Sequence, residues 1–258
     1  MTTTAPRATI APVTVAHDLA VADLVAALAA GWRDFRAAPL FGLFFAAFYV
    51  GAGLLLTDTL VTRGHLAWLV PAAAGFPILA PFVAVGLYEV SRRREAGLPL
   101  SWRAVLGALR GRGDEQILSM GVIVFVAFGF WLMIAHGIFA VFLSDAAMGS
   151  ESLALFGTSA GLAMLAFGSL VGAVMAFAFY SITVISLPML VDREIDFLTA
   201  IIVSLATMRN NLPVMLVWAA MIAVLLTLAL LPAFLGLFVA LPVLAHATWH
   251  LYRRAVTV

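Results

Sequence analysis

The sequence predicts an all-α membrane protein: a polytopic bundle of six transmembrane helices with three amphipathic helices on the cytoplasmic side. Three observations predict this fold. Of the 258 residues, 64% are hydrophobic and 10% are charged, whereas soluble domains are roughly half apolar and a quarter charged. Several apolar runs are about 20 residues long, which is the length that crosses a hydrocarbon core of about 30 Å. The basic residues are all arginines, and they concentrate in alternate connections between these runs.

The apolar runs define the spans. Residues 1–17 lack the charged start and continuous apolar centre of a signal peptide, so we expect a flexible N-terminal tail there, followed by a single membrane domain over residues 18–258. The uncharged block before Arg253 is about two spans long and has arginines at both ends, which predicts two helices with a break near Leu231 and Pro232. Pro232 suits the first turn of the sixth helix, as Pro213 suits that of the fifth. The predicted spans are about 39–61, 67–90, 117–143, 159–190, 212–231 and 232–252.

The arginine distribution predicts the orientation. The N-terminal segment, the second-to-third and fourth-to-fifth connections and the C-terminal end all carry arginines, whereas the opposite side carries only Arg63. Both termini are therefore expected in the cytoplasm. The cluster Arg92, Arg93 and Arg94 is expected to anchor the second helix at the inner interface and to fix the topology. Anionic lipid or an acidic patch on a partner are its alternative ligands.

Three segments have apolar residues at helical spacing and charged residues elsewhere, which is typical of helices that lie in the membrane interface. Each precedes a pair of spans, so the unit of interfacial helix, span out and span back occurs three times and indicates a possible threefold repeat. Trp32, Arg33 and Trp102 are expected to anchor two of these helices to lipid. The apolar positions are Val21, Leu24, Val25, Leu28, Trp32 and Phe35 in the first segment, Trp102, Val105, Leu106 and Leu109 in the second, and Phe197, Leu198, Ile201, Leu205 and Met208 in the third.

Two stretches, GWRDF at residues 31–35 and AGFPILAPFVAVGLYEVSRRREAG at residues 74–97, resemble a bacterial integral-membrane family known as the domain of unknown function numbered 2189. The resemblance covers most of the chain from about residue 18 onward. It implies a polytopic inner-membrane protein, and it offers no catalytic residues to assign.

Few polar residues within the spans are candidates for a site. Tyr88 and Glu89 end the second span, and Glu89 has two possible roles: an ion or ligand site, or an ion pair with Arg92 or Arg93 one turn later, which we favour. Pro81 is one of the prolines that interrupt this span, and a broken helix of that kind can form a substrate site or simply a packing kink.

The histidines and glycines give weaker candidates. His65 and His136 could ligate a haem or metal near the outer face, although a hydrogen-bonded histidine and a loop histidine are the simpler interpretation. His246 and His250 share a helix face at a spacing that can hold a metal, but interfacial anchoring is the expected role. Gly168 and Gly172 predict close helix packing within the bundle, or a homodimer face.

The composition excludes several classes of function. Without cysteine or lysine, the chain has no thiolate nucleophile, no cysteine-ligated zinc and no Schiff-base lysine. A net charge of +1 does not suggest nucleic-acid binding, and the nucleotide-binding and hydrolase motifs are absent. We predict a non-enzymatic accessory or scaffold component, without a cofactor, that packs against lipids, other membrane proteins or a second copy of itself. The alternatives are a small transporter or channel that uses the second helix, and a haem-binding protein.

Overall fold

The computed structural model describes residues 13–63, 72, 84–108, 116–143 and 153–257. The described part is nearly all α-helical, with one short 3-10 helix and one pair of two-residue strands. The elements in chain order are β1 Thr14–Val15, α1 Val21–Ala37, α2 Pro39–Thr62, α3 Val85–Glu95, α4 Trp102–Gly107, α5 Gln116–Leu143, the 3-10 helix Leu153–Gly157, α6 Ser159–Thr183, α7 Ser186–Asp192, α8 Phe197–Asn210, α9 Leu212–Leu230, α10 Leu237–Ala255 and β2 Val256–Thr257.

Four of the predicted spans are helices that are long and apolar enough to cross a membrane: α2, α5, the continuous segment α6–α7, and α9. Of the predicted second span, residues 72 and 84–90 are described, and Val85–Val90 belong to α3, while residues 67–71 and 73–83 lie outside the described part. The predicted sixth span forms α10. α10 is not apolar enough to count as a candidate membrane span, because its second half carries histidines and ends in Arg253 and Arg254.

The predicted break in the last apolar block is confirmed, but the position of its proline is not. Residues 231–236 form the turn between α9 and α10, so Pro232 lies in the turn and the last helix begins only at Leu237. The reason is that Ala233 and Phe234 adopt positive φ angles of 49° and 66°, which are incompatible with a right-handed helix. Pro213, in contrast, lies in the first turn of α9 as predicted.

The last helix, α10, is the centre of the molecule. Residues 244–249 are all buried, so protein covers every side of this part of the helix. α1 packs along it at van der Waals distance because Gly31 has no side chain: a Cβ atom at this position would lie 2.6 Å from the backbone nitrogen of Ala247 and 2.6 Å from the backbone oxygen of Val243. This contact brings the first helix of the chain against the last.

α2 also packs along α10, in the antiparallel direction. Near its start, Gly42 contacts Pro242, since an added Cβ would lie 2.7 Å from the proline side chain. Further along, Gly53 contacts the ring of Phe234 in the α9–α10 turn, where an added Cβ would lie 2.8 Å from the ring. These two contacts fix the register between α2 and the C-terminal hairpin.

α5 and α6 form a separate pair with small apolar clusters of their own. Gly172 of α6 packs on the Trp131 indole, and an added Cβ atom at this position would lie 2.9 Å from the ring. An added Cβ atom at Gly168 would lie 3.8 Å from the Ile138 side chain, which is an ordinary van der Waals contact. Both predicted packing glycines therefore face α5, which agrees with packing inside the bundle.

The described chain ends lie side by side. β1 pairs with β2 in antiparallel fashion, with Thr14 opposite Thr257 and Val15 opposite Val256. The Asn211 side chain holds the residues that follow β1, because its Nδ2 donates to the Ala16 carbonyl and its Oδ1 accepts from the Leu19 nitrogen. Part of the predicted N-terminal tail is thus bound to the C-terminal end.

α1 and α8 each bury one side against the protein and expose apolar residues on the other. α1 buries Leu24, Ala27, Gly31 and Phe35, while Val21, Val25 and Trp32 of the predicted apolar stripe are 51%, 58% and 44% exposed. α8 buries Ala200, Val203, Ser204 and Met208 and exposes Leu198, Ile202 and Leu205. In both helices the large apolar residues are therefore divided between the core and the outside.

Replacing Gly31 by alanine is expected to destabilise the fold by about 1–3 kcal/mol, the usual cost of overpacking, because backbone atoms of α10 cannot move aside for the methyl group. Gly51→Ala in α2 is the matched control, since no described atom lies within 4 Å of its added methyl. Thermal unfolding of both variants in detergent measures the difference. Equal melting temperatures would show that α1 does not depend on this contact.

Candidate functional site

The most concentrated polar site among the described residues lies where α1, α3 and α10 meet, and the Asp34 carboxylate is its centre. Oδ2 of Asp34 accepts hydrogen bonds from Ser91 Oγ at 2.7 Å and His250 Nε2 at 2.8 Å, and Oδ1 accepts from Arg94 Nε at 2.9 Å. Ser91 Oγ is also 2.7 Å from Nδ1 of His246. One carboxylate thus connects three helices.

Helical spacing positions each of these side chains. Asp34 lies three residues after Gly31, so it points to the same side of α1, toward α10. Ser91 and Arg94 are three apart on α3, and His246 and His250 are four apart on α10, which places each pair on one face of its helix. Only the packing of the three helices brings these faces together.

Asp34 is ionised in this arrangement. Burial raises the pKa of the Asp34 carboxyl, but the hydrogen bonds from His250, Ser91 and Arg94 outweigh burial and hold the pKa well below its usual value. A carboxylate only accepts, so the single Ser91 hydrogen is donated to Asp34. Ser91 Oγ can then only accept from His246, which assigns the hydrogen to Nδ1 of that imidazole.

The other nitrogen of His246 has no such partner. His246 is fully buried, and no described residue forms a hydrogen bond with its Nε2; the Leu87 carbonyl is a further neighbour of the ring. The indole nitrogen of Trp218 is also buried without a partner in the described part of the chain. His246 was expected to anchor the last helix at the interface, and its burial in the core differs from that expectation because α1 and α3 cover it.

The expected ion pair of Glu89 is present. Arg92 binds the carboxylate with both Nε and Nη2 at 2.7 Å, and Nη1 of Arg93 lies 3.3 Å away. Together with the Arg94–Asp34 pair, every arginine of the cluster at 92–94 has a carboxylate partner inside the protein. Arg92 and Arg93 therefore form ion pairs within α3, and Arg94 links α3 to α1. The predicted role of the cluster in lipid anchoring stays a prediction.

A second polar group extends the site along α10. Glu95 accepts from Trp249 Nε1 at 2.9 Å and from Arg253 Nε at 3.0 Å. Asp192 accepts from the Tyr252 hydroxyl at 2.8 Å and from Arg253 Nη1 at 3.1 Å. These contacts attach α3 and α7 to the end of α10.

The site contains serine, histidine and aspartate, but not in a catalytic order. In a hydrolase triad the histidine lies between the serine and the carboxylate and removes the serine proton. Here Ser91 lies between the two, gives its hydrogen to Asp34, and is completely buried. The described residues also include no cluster of three His, Asp or Glu side chains that could hold a metal ion.

The other predicted site residues are spread over the molecule. Trp32 and Arg33 are exposed on α1, and Trp102 packs on Phe41 and Phe44 of α2 with ring centres 4.3 and 4.9 Å apart. Tyr88 is buried in the core. His136 is exposed on α5, and its suggested haem-ligating partner His65 lies outside the described residues, as does Pro81.

Comparison with known proteins bears on the central part of the chain. The family model described as "Predicted integral membrane protein (DUF2189)" matches residues 69–192. Residues 69–192, the DUF2189 segment, are thus similar to this family. No curated protein and no solved structure matches the chain.

The polar site joins the DUF2189 segment to the rest of the chain. The DUF2189 segment supplies Glu89, Ser91 and Arg94. Asp34 comes from the helix that precedes the segment, and both histidines come from the last helix. The carboxylate thus lies outside the matched segment, as does its donor His250, while its donors Ser91 and Arg94 lie inside.

Two residues of the site, Asp34 and Ser91, were not predicted. A signal for Asp34 exists in the sequence, because Leu24, Ala27, Gly31 and Asp34 recur every three or four residues and so share one side of α1. The small residues at 27 and 31 indicate close helix packing on that side. A charged residue in such a row indicates a buried partner, although the sequence does not identify His250 as that partner.

Replacing Asp34 by asparagine is expected to lower stability at neutral pH by about 1.5–3 kcal/mol, the range for a hydrogen bond to a charged group. The folded-state pKa of Asp34 is depressed, so its contribution exists above the unfolded value of about 4 and is lost as the pH falls toward the folded value. The difference between the natural protein and Asp34→Asn should therefore shrink below about pH 4. Melting temperatures measured from pH 7 downward test this, with the exposed Asp58→Asn as the control that should change little at any pH.

Proposed function

We propose that the protein is a non-enzymatic accessory or scaffold component of a bacterial inner membrane, with both termini in the cytoplasm. In this proposal α1, α4 and α8 lie in the cytoplasmic interface. Their outward apolar residues contact lipids and other membrane proteins, and the buried polar site holds the helices in place. The observation that carries the proposal is the row of exposed apolar side chains on the outward sides of α1 and α8.

The exposed apolar residues of α1 support a role as a contact surface. If α1 served only to complete the core, its outward side would be expected to be polar. Leu24 and Phe35 are buried, but Val21, Val25 and Trp32 are exposed on the other side of the helix. Exposed apolar residues in a row on an integral membrane protein are typical of surfaces that contact acyl chains or another protein.

Charge supports the interfacial placement. Arg33 and Arg36 are exposed on α1 beside the apolar stripe, and Arg209 is exposed at the end of α8. Guanidinium groups next to an apolar stripe match the anionic headgroups of the cytoplasmic leaflet. The paired chain ends require an even number of crossings, in agreement with two cytoplasmic termini.

The chemistry of the buried site supports a structural role. Its carboxylates are occupied by hydrogen bonds between helices, and the group that accepts the Ser91 hydrogen is the Asp34 carboxylate, whose low pKa makes it a poor base. A site of this kind fixes helices relative to one another, which suits a scaffold.

The test is the native mass of the protein extracted from its own membrane in lipid discs. We expect the natural protein to be part of a larger assembly. Val25→Gln interrupts the outward stripe and is expected to raise the dissociation constant of the assembly at least tenfold, which corresponds to about 1.4 kcal/mol. Its melting temperature should not change. Ala26→Gln is the matched control, because this exposed residue lies about a quarter turn away from the stripe. A bare monomer or dimer that carries a small molecule would contradict the proposal and favour transport or ligand binding.

A further inference from the structure

The turn between α9 and α10 is entirely apolar. Residues 231–236 read LPAFLG, and Leu231 and Leu235 are 75% and 56% exposed. Turns in water are rich in Gly, Asn, Asp and Ser, which bind water and tolerate positive φ angles. Here the two positive φ angles belong to Ala233 and Phe234, so the turn retains apolar side chains at positions where a turn in water favours glycine or asparagine.

The turn also provides hydrogen bonds for its own backbone. The nitrogen of Phe234 donates to the Leu230 oxygen at 3.1 Å, that of Leu235 to the Pro232 oxygen at 3.0 Å, and that of Leu237 to the Phe234 oxygen at 2.9 Å. Within hydrocarbon an unpaired backbone group costs several kcal/mol, so chain at that depth must pair its own polar groups. The turn meets this condition at these three nitrogens.

The position of the turn along α2 shows how far the hairpin reaches. Phe234 packs on Gly53, but α2 continues to Thr62, which is about 14 Å further along its axis at 1.5 Å per residue. The polar side chains at the end of α2 begin with Thr57 and Asp58, and Asp58 is about 8 Å beyond Gly53. The hairpin therefore ends well before the polar end of its neighbour.

The distance to the other side of the membrane is similar. α1 packs on α10 at Val243 and Ala247 and carries the exposed Arg33 and Arg36. From Val243 back to Phe234 the chain rises about 14 Å at helical pitch. The turn thus lies between the charged side of α1 and the polar end of α2, at a distance of about 8 to 14 Å from each, which is well inside a hydrocarbon core of about 30 Å.

We infer that α9 and α10 form a re-entrant hairpin, which enters and leaves on the same side of the membrane and whose turn contacts lipid acyl chains inside the bilayer. The apolar surface of the turn is continuous with exposed side chains on both helices, Val224 and Leu228 on α9 and Val239 on α10. The fifth and sixth predicted spans then do not cross the membrane. Both chain ends remain on one side, because a re-entrant hairpin also returns the chain to its starting side.

Spin labels on single cysteines test the inference in liposomes, and the natural chain contains no cysteine that would interfere. Leu235→Cys places the label on the turn, and Thr62→Cys places it on the end of α2 as the control for water exposure. We expect the label at 235 to collide readily with oxygen, which dissolves in hydrocarbon, and several-fold less with a water-soluble nickel chelate than the label at 62.

Two results would overturn the inference. Equal collision with nickel at positions 235 and 62 would place the turn in water, and the hairpin would then cross the bilayer. Protection of position 235 from both reagents would mean that protein, and not lipid, covers the turn. Leu231→Cys on the same turn replaces Leu235→Cys if that variant does not fold, and melting temperatures identify the folded variants.

Discussion

A buried carboxylate must replace the water that it loses with hydrogen-bond donors, and Asp34 obtains them from helices far away in the sequence: Ser91 and Arg94 on α3, and His250 on α10. Such a charge adds little net stability compared with a well-packed apolar group, but it is costly to leave unpaired. α1 therefore has one favourable register on α10, the register in which Asp34 reaches all its donors and Gly31 meets the backbone. The positions of α2, which follows α1 almost directly, and of the N-terminal strand depend on that register.

Features with a local cause could be predicted from the sequence. Four spans followed from apolar length alone, the break after α9 followed from the charge at both ends of the block, and the pairing of Glu89 with Arg92 followed from helical spacing. The start of α10 could not be predicted in this way, because Ala233 and Phe234 are residue types that rarely adopt positive φ angles. The burial of Asp34 could not be predicted either, since its partners are fixed only by the tertiary fold.

The described polar contacts are unevenly distributed along the molecule. The ion pairs and hydrogen bonds of α1, α3, α7 and the second half of α10 concentrate near the chain ends, whereas α5, α6 and the far half of α2 have mainly apolar contacts and exposed side chains. In lipid, apolar helices gain little from the hydrophobic effect and rely on close packing at small residues such as Gly172. The polar side therefore determines the arrangement of the helices, and the apolar side adapts to the surrounding lipid.

The contact between α1 and α10 has a consequence for synthesis at the ribosome. α1 emerges long before α10, because about two hundred residues separate the two helices. Until α10 is made, Asp34 has no donor from that helix, and closing so long a loop is a slow step in folding. If α1 lies in the membrane interface as proposed, its exposed apolar residues hold it on the membrane surface during this time. β2 directly follows α10, so its pairing with β1 forms only after α10 has been made.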